Sequence, residues 1–351
     1  MPRNGEGVLS ELLCRLGLAF VAFVCYNGEN QCFHLEVSMD IITLRSGDYT
    51  AAINLTLGAN CISLRNERYG AVILREPDYE RGVDNPFLYG MPILFPVNRV
   101  SGAKFTFEGR EYIFPVNEPD TGCHLHGMLH AEAFECVERS ESHLVARYSA
   151  TEEKPYGLFP HAFDVTRTYR LSENGFDQTV TVTNRSETNM PLLMGFHTTF
   201  RAAFTETSRP EDIRVYADLS EEFERNMANY LPTGRKPALD EVGEALTAGT
   251  FCPFGRPTSK HYRAAAPYRM VLHDCGRDLS VVYENDEKLP FRLIYNANAD
   301  EFICMEPQTS LANSPNSPFS REEAGFGFLQ PSETRVFRSH ICLMKGDRRK
   351  N

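Results

Sequence analysis

The sequence predicts an all-β fold, a large antiparallel β-sandwich with few short helices, on three observations. Apolar and polar residues alternate with a period of two from Met39 onward, turn-forming residues punctuate the alternating runs, and helical periodicity is nearly absent. Residues 1–38 come first and fit least. The apolar run Leu16–Cys25 is shorter than the roughly 20 residues that span a bilayer. As an export signal it is also poor, because Glu6 and Glu11 offset Arg3 and Arg15 and no small-residue cleavage site follows. The segment is therefore expected to be an extension outside the fold, with residues 39–344 forming one β-sandwich domain and 345–351 a short basic tail.

Within that domain the elements follow in order. Ile53-Asn54-Leu55-Thr56-Leu57 alternates as a strand. Phe105–Phe107 and Tyr112–Phe114 flank Glu108-Gly109-Arg110, which predicts a hairpin. Gln178–Thr183 alternates without interruption. Leu219–Asn229 is the best helix candidate, with Ser220 as its cap and Pro232 as its stop. Asp274-Cys275-Gly276 marks a turn ahead of a strand from Leu279 to Tyr283. No repeat, low-complexity tract or linker divides the run.

Composition narrows the function classes. A chain of 351 residues with 42% hydrophobic side chains can bury a substantial core, and a net charge of -11 opposes nucleic-acid binding. A small neutral molecule suits it better, and neither a membrane nor a nucleic-acid partner is expected. The ten cysteines include no C-x-x-C pair, so they are expected to be reduced and mostly buried; a cytoplasmic monomer or homodimer is the expectation for the whole protein. The sequons at Asn54 and Asn184 would matter only after export.

Four polar islands in strand-like sequence are the candidate site. Asn98-Arg99 follows the proline-held apolar stretch Pro92–Val97, where a guanidinium either emerges at the core edge or forms an ordinary surface ion pair. His126 precedes Gly127, which permits close approach of backbone or ligand. His124-x-His126 is half of a metal-binding spacing, but no third ligand lies nearby in sequence. His197 lies in Gly195–Phe200, where a hydrogen-bonded core histidine is the ordinary alternative. Glu306 follows Phe302–Met305 and precedes Pro307, which carries a carboxylate into an apolar layer and raises its pKa toward that of a base; a rim ion pair is the alternative.

Taken in order, the blocks resemble the aldose 1-epimerase (galactose mutarotase-like) family over nearly the whole length from Met39 to Leu343. They are Gly90–Val100, Phe105–Tyr112, Asn117-Glu118, Leu125–Gly127, Gly195–Phe200, Phe302–Pro307 and Gly327–Thr334. The resemblance implies a sugar bound in a concave cleft of a β-sandwich. It places the acid on His197, the base on Glu306 and sugar-holding groups on Arg99 and His126, with Asn98 and Tyr295 beside them. It implies an isomerase that interconverts the α and β anomers of an aldose, with no metal or other cofactor. Phe200, Phe204 and Tyr295 are the expected aromatic floor, since the chain has no Trp.

The match departs from many galactose mutarotases at two places. Thr258–Tyr262 lacks their hydroxyl-binding Asp, and Leu293 stands where a Gln is common. Tyr295-Asn296 instead resembles the Trp-Asn of the hexose-6-phosphate branch, for which Arg75, Lys104, Arg110, Lys260 and Arg292 are the available phosphate partners. Two other classes stay open: a non-catalytic sugar-binding or sensing protein, and a hydrolase using Glu118 or Asp300 as a second carboxylate.

Overall fold

The computed structural model describes residues 39–83, 85–296 and 301–349, together with the backbone of 20–23 and 34–37. Alternation dictates the largest element. Phe163–Ser172 and Gly175–Asn184 bury every second side chain, and they pair in register from Phe163↔Asn184 to Ser172↔Gly175. Around this hairpin an antiparallel sheet of eight strands forms. Its order is Glu135–Arg139, His143–Ala150, Phe163–Ser172, Gly175–Asn184, Thr334–Lys345, Leu279–Asn285, Arg269–Asp274, Ile213–Ala217.

A seven-stranded sheet faces it. The order is Leu219–Phe223, Ser259–Ala264, Phe291–Tyr295, Phe302–Gln308, Gly195–Phe196, Ile93–Leu94, and Thr199–Arg201 also pairs with Phe302–Gln308. A four-stranded sheet from Ile41 to Val72 packs on the same core. One apolar cluster joins all three: Val165, Val180 and Phe337 from the eight-stranded sheet, Ile93, Ile303 and Met305 from the seven-stranded one, and Leu44 and Ile53 from the four-stranded one. The predicted β-sandwich is therefore the observed architecture.

Local details agree in part. Lys104–Phe107 and Arg110–Ile113 form the predicted hairpin, with Glu108 and Gly109 both at positive φ as a two-residue turn requires. The Leu279–Asn285 strand follows the predicted turn at Asp274. The early strand spans Tyr49–Asn54, so residues 55–57 form a turn beyond it.

The helix expected at Leu219–Asn229 does not form. Leu219–Phe223 is a bulged strand paired with Ser259–Ala264, because an i, i+4 apolar spacing also fits a period of two and the neighbouring strand supplies partners for the charges. Glu221 meets Arg263 at 2.7 Å and Glu222 meets Lys260 at 2.6 Å. The one α-helix among the described residues is Glu241–Ala248. Asp240 caps it by accepting from Val242 N and Gly243 N, and Gly249 closes it in the left-handed region.

Phe20–Phe23 pairs with His34–Val37 in a two-stranded ladder of its own; the reading of residues 1–38 as an extension otherwise lies outside the described residues. No helix among the described residues is long and apolar enough to cross a membrane. Both sequon asparagines are fully buried, and Asn184 donates to Thr188 O, Leu329 O and Gln330 O, so neither can carry a glycan in the folded chain. Of the seven described cysteines, all free, Cys61, Cys123 and Cys304 are buried while Cys136 and Cys275 are exposed, so "mostly buried" overstates the expectation.

Candidate active site

The Phe302–Gln308 strand is buried on both faces, which explains its near-continuous apolar sequence. Ile303 and Met305 enter the sandwich core, while alternation places Cys304, Glu306 and Gln308 on the opposite face. Gly195–Phe196 and Thr199–Arg201 bracket His197 and both pair with this strand. The result is a direct contact: His197 Nε2 lies 3.2 Å from Glu306 Oε1. Gln308 Nε2 donates to the other carboxylate oxygen at 3.0 Å. Full burial of Glu306 sets aside the rim ion pair, while a buried His197 beside a polar partner also fits the core-histidine alternative.

The other two islands arrive from loops. His126 N donates to Asn98 O, and both residues take positive φ. Gly127 is essential to this arrangement, since a Cβ there would sit 1.7 Å from Phe95 O; the close approach is by backbone. The His126 ring stands edge-on to His197 with centroids 5.4 Å apart. Asn98 Oδ1 accepts from Arg99 N, while its buried Nδ2 has no partner. Arg99 forms a two-point ion pair with Glu118 at 2.7 and 2.6 Å, so Glu118 orients this guanidinium. His124 turns away, donating from Nδ1 to Pro115 O and stacking on Phe114.

The walls were only partly foreseen. Tyr295 packs edge-on to His197 at 6.2 Å, as expected of a site aromatic. Phe200 and Phe204 are instead fully buried in the sandwich core, because the Thr199–Arg201 strand turns Phe200 toward Tyr283. Their place is taken by Phe87, 4.7 Å from the His126 ring, and by Tyr230, whose ring lies under the Arg99 guanidinium at 4.5 Å and near that of Arg225 at 5.7 Å. Tyr230 and Arg225 belong to the loop that follows Phe223, closed by a bridge between Arg225 and Pro232. Mistaking this region for a helix hid them.

Of the cations proposed from sequence, Arg292 is fully buried and spends Nη1 and Nη2 on the carbonyls of Leu289, Phe291 and Tyr268. Lys260 is held by Glu222 and Asp240, Lys104 pairs with Glu111 on the surface, and Arg110 is exposed. Arg75 is sandwiched between Tyr89 and Phe302, 4.5 Å from each ring. Asn296 is a structural residue that bonds Thr258 N, Pro253 O and Arg256 O.

Burial sets the electrostatics. It pushes the Glu306 carboxyl up to about 8, against the opposing pull of Gln308, Arg225 and Arg99, and pushes His197 down to about 3. His126 is lowered by burial and then by the neighbouring His197. All three therefore favour their neutral forms. His197, Cys304 and Glu306 each place a ligand atom within 4.8 Å of the others, a spacing that could close on a metal ion.

Comparisons with known proteins bear on the family and the fold. The family model for aldose 1-epimerase matches residues 40–341. A galactose mutarotase-like protein from Clostridium acetobutylicum superposes with a TM-score of 0.82 at 26% identity, covering 93% of this chain and 99% of that one. Galactose 1-epimerase from Lactobacillus acidophilus NCFM shares the fold at a TM-score of 0.64 and 14% identity, covering 94% of this chain and 100% of its own. The Escherichia coli (strain K12) protein YphB is 29% identical over 109 residues, 31% of this chain and 36% of that protein, so the chain matches about a third of this curated relative's length.

Proposed function

Because the chain belongs to the aldose 1-epimerase family, we propose that it interconverts the α and β anomers of an aldose, with Glu306 and His197 moving the protons. The observation that carries this reading is the 3.2 Å contact between the two, buried together at the face of the seven-stranded sheet. Ring opening requires a proton to leave the anomeric hydroxyl and another to reach the ring oxygen. Ionised Glu306 takes the first and protonated His197 gives the second, while the bond between C1 and the ring oxygen breaks to leave the aldehyde. Rotation about C1–C2 exposes the other face, and reversal of both transfers closes the opposite anomer.

Proton counting adds a physical point. After opening, Glu306 is protonated and His197 neutral, the same states that burial favours. The pair is thus complementary to the open-chain aldehyde, and the ring-closed state uses the tautomer in which one proton has crossed from oxygen to nitrogen. The Arg99 and Arg225 charges help Glu306 reach its ionised form, and Arg99, His126 and Asn98 supply donors for sugar oxygens. Tyr295, Phe87 and Tyr230 offer apolar faces to the ring.

Saturation-transfer NMR tests the reading on glucose, galactose, xylose and glucose 6-phosphate. The parent is expected to accelerate anomer exchange on at least one of them, and Glu306→Gln and His197→Asn each to lose about a hundredfold or more. A near-normal rate in either variant would refute the assignment. Measurable sugar binding with no exchange on any sugar would favour the sensing protein.

A further inference from the structure

The neutral-sugar reading uses the charge of Arg225 on Glu306 but gives no account of this arginine's open N–H groups. Arg225 is 8% exposed, and its Nη2 donates to Ser259 O at 2.6 Å and Ser259 Oγ at 2.7 Å. Nε and Nη1 have no protein acceptor among the described residues, and no described carboxylate lies within ion-pair distance. The neighbours are unhelpful. Arg99 adds a like charge and is itself committed to Glu118, His261 is neutral because it is buried, and Tyr230 covers only a guanidinium face. Glu306, the carboxyl close enough to act on Arg225, favours its protonated form. Burial and the Arg99 charge accordingly lower the Arg225 pKa to about 10.

A buried guanidinium whose N–H groups lack acceptors is costly: Arg167 and Arg292, also without a described carboxylate at ion-pair distance, spend both Nη groups on protein oxygens, whereas Arg225 leaves Nη1 and Nε for a ligand. With Nη2 spent on Ser259, the Nη1 and Nε hydrogens of Arg225 lie on separate edges of the guanidinium, and each suits a single charge-assisted bond to an oxygen of a carboxylate or phosphate. We infer that Arg225 is a specificity-determining residue that receives an anionic oxygen group carried by the sugar, so that the preferred substrate is an acidic aldose such as a uronate or a phosphosugar. The inference rests on the mutarotase reading only for the kind of ring the site holds. Tyr230 and Ser259 keep the guanidinium in place, one from its face and one through Nη2.

Titration calorimetry tests this in the Glu306→Gln background, where turnover is absent and binding alone is read, with glucose, glucuronate, galacturonate and glucose 6-phosphate as probes. At least one charged sugar is expected to bind about ten- to a hundredfold more tightly than glucose, and adding Arg225→Gln is expected to remove that preference while glucose affinity changes little. Which charged probe gains separates a carboxylate from a phosphate. Arg225→Lys keeps the charge without the planar guanidinium that Ser259 and Tyr230 hold, and is expected to retain part of the preference, which guards against a Gln variant that fails to fold. Equal affinity for charged and neutral sugars, a preference that survives Arg225→Gln, or no binding of any charged probe would each overturn the inference. Charged sugars that bind through Arg225 but undergo no exchange in the parent would refute the mutarotase reading alone.

Discussion

Two buried arginines, one inside the sandwich and one at the candidate site, show how differently the two regions treat a charge. Arg167, fully buried in the eight-stranded sheet, donates to Gly58 O, Met91 O and Gln178 Oε1 at 2.7, 3.0 and 2.6 Å, leaving only Nε unpartnered. It ties the sheet to the Met91 end of the loop that carries Asn98 and Arg99. Arg225 engages one nitrogen and leaves the rest open. The same contrast extends to their surroundings, since Asn98 Nδ2, His126 Nδ1 and His197 Nδ1 are all buried without partners. Unpartnered buried atoms also occur in the scaffold, at Tyr148 Oη, Asn285 Nδ2 and Arg292 Nε, but at the site several of them gather around one pair of residues, and such a cluster calls for an explanation.

Breaking the scaffold side should have the largest effect. Arg167→Leu orphans three acceptors in the core and is expected to cost about 3–5 kcal/mol of stability, read as a lower denaturation midpoint. A loss well under about 1 kcal/mol would mean the network is dispensable. Gly127→Ala comes next, because the added Cβ meets Phe95 O and the backbone must shift. It should cost about 3 kcal/mol and, by displacing His126, abolish sugar binding; a variant with parental melting and binding would show that the loop yields freely. The smallest effect belongs to the helix away from the site. Asp240→Ala removes its N-cap and one partner of Lys260, with an expected loss of about 1 kcal/mol in denaturation and no change in sugar affinity.

The contrast also explains what could be read from sequence. Strands such as Gln178–Thr183 announce themselves because one face is wet and the other dry. Glu306 and His197 were legible because each is a polar residue set in apolar strand sequence, and their meeting follows from pairing with one shared strand. Arg167 and Arg225 were not, because their partners at Gly58 and Ser259 lie far away in sequence. Tyr230 and Phe87 sit on loops whose course no periodicity encodes. Phe200 was misplaced because a strand's alternation says which residues share a face without saying which face is the core.

We propose that the Glu306 carboxyl is kept at a cost to stability for its proton transfer, and pH separates the two. Its pKa is raised on folding, so between its ordinary value of 4.5 and about 8 the folded chain holds a proton that the unfolded chain has lost. Stability from this group therefore falls as pH rises through that window. His197, lowered to about 3, opposes folding only below its ordinary value of 6.5 and so contributes nothing at higher pH. The measurement is the melting temperature of Glu306→Gln against the parent at about pH 5 and about pH 8.5, beside anomer exchange on the same samples. The variant is expected to melt at or above the parent, with the larger gain at the higher pH, and to lose exchange. A variant that melts below the parent at the higher pH, or that still exchanges anomers at the parental rate, would contradict the proposal.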